Sequence, residues 1–170
     1  ENGAWLYDPR HNDFHLDPAI SPEHIDMVRS AQQWCMQTFG DRPLAVEPGK
    51  TAMFSLYSPD PTVVPEITPA IRDGFAQHGW DLRVSQSVAY LNCDLAHISK
   101  ATGIDRFVAH TGIPTSRLAG IGDTIGDMAI RERVAFFACP ANADQRLKDV
   151  ADYVSPHEHA AGVVDILTQL

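Results

Sequence analysis

From about residue 96 onward, helical segments alternate with short stretches that are apolar at every position, and this alternation restricts the fold more than any other feature. Residues 118–121 and 134–138 are such stretches, and Tyr153-Val154 is a third. A strand that is apolar on both faces is buried on both faces, which happens in parallel sheets covered by helices. The spacing predicts one helix capped by Ser99, running to His110 and stopped by Gly112. Others are expected after Gly122-Asp123-Thr124, around residues 144–150 and from Ala161 onward. Three short strands make a thin sheet with an unpartnered edge, so this half reads as incomplete and prone to self-association.

The first half follows a different pattern. Ser21-Pro22 is an N-cap followed by proline at the first helical position, and Ile25, Val28, Ala31 and Cys35 recur at helical spacing beside Trp34. Gly40 is expected to end that helix in a left-handed conformation. Strands are expected at residues 43–47 and 51–57 around a Pro48-Gly49 turn. Pro59, Pro61 and Pro65 then mark a loop. A second helix carries Val64, Ile67, Ile71 and Phe75 on one face and closes at Gly79, and strands at residues 81–85 and 88–93 follow. The order αββαββ describes an antiparallel sheet with helices on one face, an α+β layer.

Composition narrows the classes of function. Of 170 residues, 44% are hydrophobic and 21% charged, ordinary globular usage that excludes a disordered or fibrous chain. The net charge of −9 and the lack of any basic run argue against a nucleic-acid partner. No apolar run approaches the roughly 18 residues of a membrane span. Cys35, Cys93 and Cys139 form no CxxC pair, as expected of packed thiols in the reducing cytoplasm. The opening Glu1-Asn2-Gly3-Ala4 has neither an initiating Met nor a signal-peptide pattern, and reads as the start of an excised or processed piece.

The densest chemical signal is Gly122-Asp123-Thr124-Ile125-Gly126-Asp127, which follows an apolar strand and opens a helix. Open α/β sheets bind ligands at that edge. Asp123 and Asp127, one helical turn apart, suit a hard cation such as Mg²⁺ that takes oxygen ligands and keeps waters and a phosphate for the rest. The plain alternative is a glycine turn with Asp123 as a helix cap. Lys100 stands in the first turn of its helix, where a cation opposes the helix dipole. A phosphoryl group bound there would compensate, and a solvated surface lysine is the alternative. Glu47 and Lys50 flank the hairpin turn as an exposed pair, and Asn142 has the start of a helix as its plain alternative. His157-Glu158-His159 lacks HExxH spacing and reads as a solvated loop. His11 and His15 lie in a polar loop without a third ligand.

Three stretches together resemble the haloacid dehalogenase (HAD) superfamily of aspartate-nucleophile phosphatases. Ile98-Ser99-Lys100-Ala101-Thr102-Gly103-Ile104 resembles its third motif, with a phosphate-contacting lysine. Residues 118–127 resemble its fourth, GDxxxD, with its magnesium carboxylates. Residues 135–154, including Pro140-Ala141-Asn142-Ala143, Leu147-Lys148 and Ala151-Asp152-Tyr153-Val154, resemble the segment that follows. Glu1-Asn2-Gly3-Ala4 is similar to the phrase before the mobile cap of sugar-phosphate members. The αββαββ block resembles the C2-type cap of sucrose-phosphate, trehalose-phosphate and mannosylglycerate-phosphate phosphatases and of phosphomannomutase.

The resemblance implies an α/β protein, a partial HAD-like parallel core with an α+β C2-type cap. It divides the chain into a linker at 1–8, a cap at 9–95 and the C-terminal part of the core at 96–170. It implies Mg²⁺-dependent hydrolysis of a small phosphorylated metabolite, a sugar phosphate, through an aspartyl-phosphate. Asp123 and Asp127 would then hold the metal and Lys100 the phosphoryl group, with Glu47, Lys50 and Asn142 at the substrate. The sequence departs from the family in two places. No DxDx[TV] nucleophile motif occurs, and Gly126 stands where many members carry Asn. The nucleophile is therefore expected on a segment before Glu1 or on a complementary chain, and this chain alone is expected not to turn over. A non-catalytic binding or regulatory module and a phosphosugar mutase stay open as alternatives.

Overall fold

The computed structural model describes every residue except Val88, so the start of the strand expected at residues 88–93 lies outside the described residues. The chain forms two compact units, Glu1–Ile98 and Ser99–Leu170. It is a mixed α/β protein with one parallel sheet, as the sequence pattern implied.

The first unit opens with a hairpin of β1 (Trp5–Asp8) and β2 (Asp13–Leu16), where the sequence predicts a linker and a polar loop. His15 is thus a strand residue. Helix α1 (Pro22–Phe39) begins at a reciprocal cap, in which the Ser21 side chain accepts from the His24 amide and the His24 ring accepts from the Ser21 amide. Val28, Ala31 and Cys35 are its buried stripe. Gly40 ends it at φ −69°, in the right-handed region, contrary to expectation. The chain leaves through the ordinary right-handed region, so glycine is not required there for its backbone freedom.

Strands β3 (Ala45–Val46), β4 (Met53–Tyr57), β5 (Leu82–Gln86) and β6 (Tyr90–Leu95) pair antiparallel in the order β3-β4-β6-β5. Strand β3 is shorter than the sequence suggested, and β4 is buried on both faces from Met53 to Leu56 instead of alternating. Helix α2 (Val63–His78) buries Val64, Ile67, Ile71 and Phe75 and ends at Gly79 with φ +69°, the left-handed residue expected there. Pro65 lies in its first turn rather than in a loop, where its missing N–H is no loss.

The second unit holds a three-stranded parallel sheet, β7 (Ala119–Ile121), β8 (Phe136–Cys139) and β9 (Tyr153–Val154), in that order. Helix α3 (Lys100–Thr111) is capped by Ser99 with Thr102 and closed by Gly112 at φ +69°. The helix expected after Gly122 is only a 3-10 turn, Ile125–Asp127, leading into a short α4 (Met128–Arg131). Helices α5 (Gln145–Lys148) and α6 (His159–Leu167) complete the unit, α6 starting two residues earlier than expected. No helix among the described residues is long and apolar enough to cross a membrane.

Helices α1 and α2 pack through Trp34, against which Gly74 presses so closely that an added Cβ would lie 2.1 Å from the ring. Replacing Gly74 by Ala should destabilise the first unit by about 1–3 kcal/mol, because the indole is also fixed by Phe75 and Trp80. Urea denaturation followed by tryptophan fluorescence measures this, and an unchanged midpoint would contradict the packing.

Candidate active site

Strands β7 and β8 run parallel, and the loops at their carboxyl ends carry Asp123, Asp127 and Asn142, while Lys100 opens α3. Gly122 leaves β7 against the Asp127 side chain, where an added Cβ would lie 2.3 Å from the Asp127 Cβ. Only glycine lets the loop close this tightly. Thr124 caps the following turn and shares a reciprocal capping box with Asp127. One Asp127 carboxylate oxygen accepts from the Asp123 and Thr124 amides, both at 3.1 Å, and from the Thr124 hydroxyl at 3.2 Å. The other accepts from the Lys100 ammonium. Asp127 is therefore a buried, fully engaged carboxylate, 4% exposed.

Burial alone would raise the Asp127 pKa, but the Lys100 hydrogen bond, the two loop amides and the Lys100 charge outweigh it and hold the group below the ordinary carboxylate value. A depressed native pKa contributes stability that is present above the unfolded value and is lost as pH falls through the native one. The Asp127→Asn variant should lose about 1–3 kcal/mol at neutral pH, since the new amide group meets donors on both sides. Denaturation across pH 2–7 should show a smaller acid-side loss in this variant than in the parent. Equal acid-side slopes would contradict the assignment.

Asp123 differs in every respect. It is exposed, and among the described residues its carboxylate forms no hydrogen bond or ion pair. Its backbone carbonyl accepts from the Asp144 amide at 2.8 Å, which fixes the loop to the start of α5. Lys100, Asp123 and Asp127 line one cavity of about 440 Å³, walled by Ile121, Ile130, Pro140 and Val163, with His159 at its margin. The structure thus brings Lys100, Asp123 and Asp127 to one opening, with Asp123 exposed and Asp127 buried behind it. As a donor set for Mg²⁺, one unpaired carboxylate fits a hard cation that retains waters and a phosphate. Asp127 would support it from behind. Among the described residues no three His, Cys, Asp or Glu side chains form a metal-sized group.

The remaining candidates make contacts of their own. Asn142 follows β8, but its side-chain oxygen accepts from the His159 amide at 2.7 Å, so it tethers the start of α6. Glu47 and Lys50 form an ion pair at 2.6 Å in the first unit, and Lys50 also reaches the Ser55 hydroxyl at 2.5 Å. Ser55 bonds Asn92 at 2.6 Å. The Lys50 hydrogen bond and charge keep the Glu47 carboxyl below its usual range. Sequence reasoning missed Ser55 and Asn92 because their pairing depends on β4–β6 register. The three thiols are free and buried. Desolvation pushes Cys35 up to about 12 and Cys139 up to about 11, so both stay protonated at neutral pH.

The family model for haloacid dehalogenase-like hydrolase matches residues 5–167, and the chain belongs to that family. It is 36% identical over 73 residues to the phosphoglycolate phosphatase of Methanothrix thermoacetophila, covering 43% of this chain and 33% of that protein. It is 36% identical over 84 residues to the phosphoglycolate phosphatase of Archaeoglobus fulgidus, covering 49% of this chain and 37% of the relative. Each match thus takes in little more than a third of those relatives' length, or less. A haloacid dehalogenase-like hydrolase from Bacteroides thetaiotaomicron superposes over 99% of this chain and 74% of its own, with a TM-score of 0.75 at 14% identity. That identity carries the fold alone.

Proposed function

We propose that this chain carries the phosphate- and magnesium-binding part of a phosphomonoester hydrolase acting on a small phosphorylated metabolite. The observation that supports this most is the pairing of Lys100 with an unpaired Asp123 on one cavity, while Asp127 is consumed in holding both. Lys100 would hold a phosphoryl oxygen, its ammonium oriented by Asp127 so that little reorganisation accompanies binding. Asp123 would offer one oxygen to Mg²⁺, which when bound neutralises charge on the transferring oxygens.

No DxDx[TV] motif lies in these 170 residues, so the attacking aspartate is assigned to a segment or chain outside them. That carboxylate would form a bond to phosphorus as the ester P–O bond breaks, and water would then release phosphate from the aspartyl-phosphate. The first unit is read as a C2-type cap, with Glu47 and Lys50 contacting the organic part of the substrate. Substrate classes in view are the sugar phosphates and, from the names of the relatives, phosphoglycolate. The cytoplasm suits its free thiols.

Calorimetry with inorganic phosphate and MgCl₂ tests the binding half of this reading. Lys100→Ala should weaken phosphate binding about tenfold or more. Asp123→Asn should remove the dependence of that binding on Mg²⁺. A parent protein that binds phosphate equally well with and without Mg²⁺ would overturn the metal assignment. For the catalytic half, the chain should hydrolyse p-nitrophenyl phosphate only when joined to a DxDx[TV]-bearing segment, and turnover by the chain alone would refute the external nucleophile.

A further inference from the structure

The turn before α6 is solvated, as the sequence predicts for His157-Glu158-His159, and it is also fastened to the loop after β8 at three points. The Ala141 amide donates to the His157 carbonyl at 2.9 Å. The His159 amide donates to the Asn142 side chain at 2.7 Å. Gly162 packs so close to Pro140 that an added Cβ would lie 2.7 Å from the Pro140 Cβ. Between these points His159 adopts φ +51°, a left-handed conformation that histidine tolerates better than most residues. The backbone is fixed while the imidazole stays 77% exposed, its nearest charged neighbour being Glu158 at 4.0 Å. That imidazole lines the same cavity as Lys100 and Asp123.

We propose that His159 is a specificity residue that donates a hydrogen bond to the carboxylate of a phosphorylated hydroxy acid bound at Lys100 and Asp123. This rests on the phosphatase reading above. Among the polar side chains of the cavity, Asp127 is spent on the protein, and Lys100 and Asp123 are assigned to the phosphoryl group and its metal. His159 is what this unit has left for the organic end, and the other walls are aliphatic. A sugar carries several hydroxyls, each needing a partner, whereas one carboxylate can be met by one well-placed donor. Asn142 acts as the positioning residue, through the His159 backbone.

Calorimetry of the protein in MgCl₂ with inorganic phosphate, 2-phosphoglycolate and glucose 6-phosphate decides this. His159→Asn keeps a residue that tolerates positive φ but shortens the side chain. It should weaken phosphoglycolate binding about five- to tenfold and leave inorganic phosphate within about twofold. His159→Gln restores a donor at similar reach and should recover most of the loss. Unchanged phosphoglycolate binding in His159→Asn would overturn the proposal. So would an equal loss for phosphate, which marks a structural role, or an equal loss for glucose 6-phosphate, which removes the carboxylate. A parent protein that binds none of the three overturns the phosphatase reading itself, a result visible before any variant is made.

Discussion

The ion pair between Lys100 and Asp127 is the constraint on which the geometry of the second unit's cavity depends. It joins the start of α3 to the turn after β7, positions far apart in sequence, and places a carboxylate that is 4% exposed at the base of the cavity. A lone charge buried to that degree would be expensive. Two amides, one hydroxyl and one ammonium satisfy it completely. The loop could not adopt that shape with a side chain at Gly122. Because Asp127 absorbs the donors, Asp123 is left with an open carboxylate on the solvent side, and two acidic residues of one motif acquire different duties.

The same economy of contacts extends around the sheet edge. The Asp123 carbonyl receives the Asp144 amide, Lys148 donates to the Ala141 carbonyl at 3.2 Å, and the Asn142 side chain receives the His159 amide. Each bond ties a loop at the sheet's carboxyl edge to the start of α5, to its last residue or to the first residue of α6. The walls of the cavity are therefore fixed by hydrogen bonds from these loops, while β7 and β8 supply a rigid base. Such a preorganised rim is what electrostatic stabilisation of a phosphoryl group requires, since groups already in place need not reorganise when charge develops.

Much of this was legible in the sequence because it is local. Apolar periodicity located α1, α2 and α3, and the Ser21 and Ser99 caps and the Gly79 and Gly112 stops set their ends to within a residue or two. The apolar stretches identified β7 and β8, and the four-residue spacing of Asp123 and Asp127 singled out the turn after β7. What escaped was set by tertiary context. The β1–β2 hairpin rests on pairing of polar-rich segments with little apolar alternation, Trp5 facing Leu16 and Asp8 facing Asp13. The polar set of Ser55 and Asn92 exists only through the β4–β6 register. The burial of Asp127 follows from which way a 3-10 turn, rather than a full helix, aims one side chain. The fastenings of the exposed His157-Glu158-His159 turn were not legible because they come from residues 16 to 22 positions earlier.

Charge arithmetic within the cavity bears on the metal. The protein is strongly acidic, with net charge −9, and Lys100 is neutralised by Asp127. Asp123 then leaves the opening with an uncompensated negative charge, which repels a phosphomonoester dianion. On the proposed reading such a site would take up phosphate only once a cation had reversed the local sign, and the exposed oxygens of Asp123 are where that cation would be held. On this view the divalent ion is more than an aid to the reaction, because without it the proposed substrate has no electrostatic reason to enter. Lys100 cannot fill that part alone, since the strength of its bond to Asp127, which fixes its position, also offsets the charge it could offer.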